Sequence, residues 1–177
     1  MTYEPYICNL DPESNKILKL YLFKNVQNVE EIRNNVTNGK WKCAVIKPSL
    51  ILDTFQVAVA ANRAVLAEKS QSMVTRTVFS EILYNLSLSK NITQSLSKFG
   101  IEKDQNLLVC FLDTADSNES EIIVKKIDGE MCSVSELEKF TNIKDLKSVY
   151  KLNNVKFDVD LLDIIVSRMV TKNFVGY

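Results

Sequence analysis

Cys8, Cys43, Cys110 and Cys132 are the nucleophiles and soft metal ligands of this sequence, and they stand 35, 67 and 22 positions apart. Those intervals hold no paired Cys-x-x-Cys spacing for a metal or a dithiol. Cys110 lies inside the apolar run LLVCFL, where a thiol reads as a small hydrophobe. The pattern is that of free thiols in a reducing compartment. The sequence contains no histidine, which excludes Ser-His-Asp and Cys-His catalysis, imidazole proton shuttles and imidazole metal ligands. Gly39, Gly100, Gly129 and Gly176 are too dispersed to build a dinucleotide-binding turn or a phosphate-cradling loop. An enzyme would have to rest on a carboxylate or thiol such as Asp53 or Cys110 in an unfamiliar pocket. No metal or cofactor is implied.

The remaining chemistry is that of binding. Formal net charge is zero, but Arg33 to Lys103 carries ten basic against four acidic residues, a net of +6. From Asp113 to Tyr177 nine basic face twelve acidic residues, a net of −3, so the two parts are suited to different partners. Composition is that of one globular domain of 177 residues, 46% hydrophobic and 25% charged. A chain of this size buries roughly 70% of its unfolded surface and folds on packing alone. No apolar run approaches the ~20 residues of a helical membrane span. MTYEPYICNLDPES lacks the basic region and apolar core of a signal peptide, so an intracellular protein is expected.

The elements that position these residues follow from periodicity. Ile17–Phe23 and Asn106–Leu112 read as buried strands, Trp41–Ile46 and Met131–Val134 as shorter ones. Glu30–Val36 continues as a helix ending near Gly39. Asp53 with Gln56 forms a capping-box pattern at the start of a helix running to about Lys69, apolar on most sides and therefore central. Thr75 or Thr77 caps a helix burying Val78, Phe79, Ile82, Leu83 and Leu86. Asn91 or Thr93 caps the next, which Gly100 is expected to end in a left-handed conformation. Residues 113–120 form a polar, mobile loop. Glu121–Asp128 is readable as strand or helix, with helix preferred. Short helices around Ser135–Phe140 and Ile143–Lys151 precede a final helix from about Asp158 to Val170. In that helix Leu161, Leu162, Ile164, Ile165, Val166, Met169 and Val170 span an arc of roughly 240°, where one core contact needs about 100°. The whole is an α+β fold: a small, largely antiparallel sheet packed with seven or eight helices in a single domain over 1–177.

The tracts DTFQVAVAANRAV, MVTRTVFSEILYNLS, LSKNITQSLSKFGI, KSVYKL and LLDIIVSRM, with ILKLYLFKNVQNVEEIR before them, resemble the kinase-binding subunit of the KEOPS (EKC) complex, the TPRKB-like family. The likeness covers most of the chain. It implies a non-catalytic subunit of the assembly that installs N6-threonylcarbamoyl on adenosine beside the anticodon of ANN-decoding tRNAs. Such a subunit docks directly on the complex's small atypical kinase, which behaves largely as an ATPase, meets the other subunits indirectly, and helps capture the tRNA 3′ end. Residence in cytoplasm and nucleus, a link to telomere maintenance and no contact with membranes go with that reading. The sequence departs from the family pattern at Lys47-Pro48, where Asn-Pro is common, at Arg63, where lysine is usual, and in the acidic loop 113–120.

Holding an unstacked RNA end calls for cations along the backbone and apolar surface against the bases. Arg63, Thr75, Arg76 and Thr77, with Lys69 as an outlying cation, are the expected RNA face. Without RNA contact, the threonines would serve as caps and Arg76 would pair with Glu81 on the surface. Leu161, Ile165, Arg168 and Met169 are the expected kinase face, apolar residues around an arginine. The alternative is a protein adaptor or activator of the kinase that never touches RNA.

Overall fold

The computed structural model describes residues 2–155 and 160–177. Five strands form one sheet: β1 (Tyr6–Asn9), β2 (Ile17–Lys24), β3 (Ala44–Ile46), β4 (Leu107–Asp113) and β5 (Glu130–Cys132). All pairings are antiparallel, in the order β1-β2-β4-β3, with β5 also pairing β2. The register sets Leu20 opposite Tyr6 on one side and Cys110 on the other, while Leu22 faces Cys132. β2 therefore stands at the centre, its second edge shared by β1 and β5.

Seven α-helices and three 3-10 turns surround the sheet among the described residues. α1 (Val29–Thr37) and α5 (Glu119–Val124) contribute to a core on one face, with Tyr21, Phe23, Trp41, Val109 and Phe111. α2 (Thr54–Lys69), α3 (Val78–Leu86), α4 (Ile92–Phe99), α6 (Ile143–Val149) and α7 (Leu161–Thr171) pack with Leu18, Leu20, Leu22 and Cys110 on the other. This is why β2 and β4 read as largely apolar although antiparallel, Lys19 within β2 being ion-paired with Asp113 at the end of β4 at 3.2 Å. Both faces are covered, so neither strand needs a polar side.

α2 is enclosed between the sheet, α3 and α7, which accounts for its apolar periphery. Asp53 caps it by accepting from the Phe55 N–H at 2.8 Å. The capping-box expectation fails at Gln56: its Oε1 accepts from Leu52 N–H at 2.9 Å, one residue before the cap. Its amide nitrogen turns inward to Leu50 O and to the Tyr150 hydroxyl, at 3.2 and 2.8 Å. Tyr150 in turn donates to Leu86 O at 2.6 Å. A buried side chain that can tie α2, α3 and α6 together is held by those bonds rather than by the cap. The reciprocal box belongs instead to α3, where Thr77 and Ser80 exchange bonds.

Gly100 is another correction. Its φ of −76° is not left-handed. A Cβ there would meet Leu96 O at 2.5 Å, so close backbone approach is what requires glycine. The left-handed glycine is Gly39, φ +80°, after α1. Among the shorter elements, α5 begins at Glu119 and ends at Val124, earlier than the expected helix and inside the polar stretch. Residues 134–139 are a 3-10 turn, and β1 was not legible as a strand. The expected start of the last helix near Asp158 lies outside the described residues.

Candidate functional site: the junction of α2, α3 and α7

Arg63 lies half-exposed on α2, one turn before Leu66, which is 39% exposed. After α2 the chain turns through residues 70–77 into α3. Glu81 holds this turn. It is 3% exposed, and its carboxylate accepts from Val74 N–H at 3.1 Å, from Thr75 N–H at 2.8 Å and from the Thr75 hydroxyl at 2.7 Å. Arg76 follows directly, exposed beside Val74, itself 51% exposed. The surface pair expected between Arg76 and Glu81 is therefore absent: the carboxylate points inward to backbone donors, which bind an anion more tightly than an exposed guanidinium does. Thr77 is the α3 cap, as its hydroxyl accepts from Ser80 N–H at 3.1 Å. Thr75 is tied to Glu81. Lys69 is ion-paired with Glu13 at 3.0 Å, which holds the Glu13 carboxyl below its ordinary pKa.

A residue that sequence reading missed lies under this surface. Lys172, just after α7, is 3% exposed, and its ammonium donates to Tyr84 O, to Ser87 O at 2.9 Å and to Ser89 O at 3.2 Å. It stands 3.5 Å over the Tyr84 ring. The Tyr84 carbonyl lies in the last turn of α3 and that of Ser87 at its C-cap, so a cation there meets the negative end of the helix dipole. Burial, opposed by Glu81 and assisted by Arg63 and Lys90, lowers the Lys172 pKa to about 8. Arg63, Glu81 and Lys90 are thus each within electrostatic reach of Lys172, and Thr75 is tied to the same site through Glu81. Only a lysine just beyond an apolar helix could have signalled this in the sequence.

The expected kinase face divides. Ile165 and Met169 are 0% and 1% exposed and belong to the chain's own core, so they offer no side-chain surface to a partner. Arg168 donates to Tyr150 O and Lys151 O at 2.8 and 2.9 Å, with the Tyr177 ring 5.1 Å away. Its charge caps the end of α6. Leu161 and Ile164 are half-buried against the core, whereas Leu162, Val166 and Val170, one turn apart, are half-exposed and outside both apolar clusters. The excess arc read from the sequence is real, but its solvent-facing part is this second stripe.

Burial raises the pKa of Cys43 to about 12 and pushes Cys110 and Cys132 up as well, so these three thiols carry no reactive signature. No group of three or more Cys, Asp or Glu among the described residues is placed to hold a metal. No helix among them is long and apolar enough to cross a membrane.

The described residues set cations beside exposed aliphatic side chains on one part of the surface and an apolar helix stripe on another. The chain belongs to the family described as kinase binding protein CGI-121, whose model matches residues 23–173. It is 35% identical over 155 residues to the EKC/KEOPS complex subunit TPRKB of Danio rerio, covering 86% of this chain and 89% of that protein. It is 31% identical to the EKC/KEOPS complex subunit CGI121 of Yarrowia lipolytica, covering 80% and 83% respectively. The corresponding subunit of Schizosaccharomyces pombe is 28% identical, with 91% of this chain and 95% of that protein covered.

Proposed function

We propose that this chain is a non-catalytic subunit of an EKC/KEOPS complex that binds the complex's small atypical kinase and helps recruit tRNA by its 3′ end for N6-threonylcarbamoyladenosine modification. The observation that carries the reading is the family match over residues 23–173, joined to relatives that bear the name of EKC/KEOPS subunits. The kinase docks on the half-exposed Leu162, Val166 and Val170 stripe with Leu161 at its margin, while Ile165 and Met169 hold the helix from beneath. Arg63 and Arg76 contact RNA phosphates, Leu66 and Val74 lie against unstacked bases, and Thr75, Thr77 and Glu81 shape the turn. Lys69 contributes charge only when Glu13 releases it. The protein works in cytoplasm and nucleus.

Reconstitution with the kinase and the remaining subunits tests this. Gel shifts with intact tRNA and with tRNA trimmed of its 3′ end should show weaker binding of the trimmed form, and only when this chain is included. Equal binding of both forms would make the chain a protein adaptor. Failure to enter the complex would end the proposal.

A further inference from the structure

A separate surface lies at the open edge of the sheet, and its reading does not rest on the proposal above. Leu10 N–H donates to Lys16 O at 3.1 Å, and the β1–β2 register pairs Cys8 with Leu18 and Tyr6 with Leu20. Antiparallel ladders alternate. The backbone groups of Tyr6 and Cys8 therefore point at β2, and the N–H and C=O of Ile7 and Asn9 point away from it. Among the described residues the Ile7 groups and the Asn9 N–H have no partner, and the Asn9 C=O accepts only from the Cys8 thiol at 3.6 Å. Ile7 is 55% exposed. A strand edge of this kind is a template for a further strand.

Beside the start of β1 opens a groove of about 450 Å³. Tyr6, Val134 and Leu137 supply apolar wall, and Glu4, Asp53 and Glu138 supply carboxylates, while no Lys or Arg lines it. Asp53 spends one oxygen on the α2 cap, and none of the three carboxylates has an ion-pair partner among the described residues. A strand added to β1 would send alternate side chains to the two sides of the sheet. Those level with Tyr6 would enter the groove, and those level with Ile7 would meet its exposed side chain.

We propose that β1 and this groove form a docking site for an extended, cationic protein segment in which lysine or arginine alternates with aliphatic residues. The backbone of the segment pairs with Ile7 and Asn9. Its long side chains lay their stems on Tyr6, Val134 and Leu137 and bring their charges to Glu4, Asp53 and Glu138. The same carboxylates disfavour nucleic acid here.

The test uses the full chain and a fluorescent ten-residue peptide alternating valine and lysine. Anisotropy should show saturable binding, and amide exchange of Ile7 and Asn9 should slow at least about tenfold on saturation. Ile7→Pro removes an outward donor without touching the β2 ladder, and should weaken binding at least about tenfold. The double variant Glu4→Lys, Glu138→Lys should do the same with unchanged thermal unfolding, and a peptide alternating valine and glutamate should not bind. Binding that survives Ile7→Pro or the charge reversal overturns the proposal. So does protection of Ile7 and Asn9 without peptide in a dimer, which would make a second copy the occupant. Absence of binding by the valine-lysine peptide would likewise reject the site, while leaving kinase and tRNA binding untouched.

Discussion

Glu81 and Lys172 are the two buried charges on which the α2–α3 turn and the end of α3 depend. Glu81→Ala leaves the Val74 and Thr75 backbone donors without their acceptor, and a hydrogen bond to a charged group is worth about 1.5–3 kcal/mol. Denaturant unfolding should show a loss of that order, with faster amide exchange at Val74 and Thr75. Lys172 makes a pH-dependent prediction. Its pKa falls from 10.5 to about 8 on folding. Between those values the unfolded chain binds the additional proton, so the site adds to stability as pH rises from about 8 to 10.5, while its burial penalty is fully present below 8. The stability of wild type relative to Lys172→Met should therefore increase across that window. A difference that stays constant would mean the ammonium is not desolvated. Arg76 makes no hydrogen bond or ion pair among the described residues, so Arg76→Glu should leave stability within about 0.5 kcal/mol. The same change should weaken tRNA binding and lower the slope of log affinity against log salt by about one.

At the scale of elements, the Gln56–Tyr150–Leu86 chain fixes how α2, α3 and α6 meet. Tyr150→Phe keeps the ring against Phe99, 5.9 Å away, but strands Leu86 O in the core. The expected cost is about 1–3 kcal/mol by chemical denaturation. Much of this level was legible beforehand. The centres of α2, α3, α4, β2 and β4 followed from periodicity and caps, because each is long enough to repeat its pattern. What was not legible has physical causes. β1 has four residues, of which only Tyr6 and Cys8 are half-buried, so no alternation rises above the surroundings. The partner of Gln56 comes from 94 positions away. No local rule names an acceptor at that distance, and the same holds for the carbonyls around Lys172.

The molecule as a whole is three-layered: α1 and α5, the sheet, then the remaining helices, with α7 closing the second core. This arrangement separates the surfaces. The turn between α2 and α3 carries the exposed cations, the outer stripe of α7 is apolar, and β1 presents an open edge. Sequence alone showed that α7 had more apolar surface than one contact uses, but periodicity cannot say which part of a wide arc faces inward. Burial of Ile165 and Met169 decides it. Ile165→Glu should unfold the domain, at a cost above about 4 kcal/mol, because it places a carboxylate in the core. Val166→Glu changes a half-exposed side chain of the same helix and should be tolerated.

That contrast gives the most direct measurement: calorimetric titration of the reconstituted kinase subunit with wild-type chain and with Val166→Glu, both shown to unfold at the same temperature. The expected result is a loss of at least about tenfold in affinity, or about 1.4 kcal/mol, with the fold intact. Undiminished binding by Val166→Glu would contradict α7 as the docking helix.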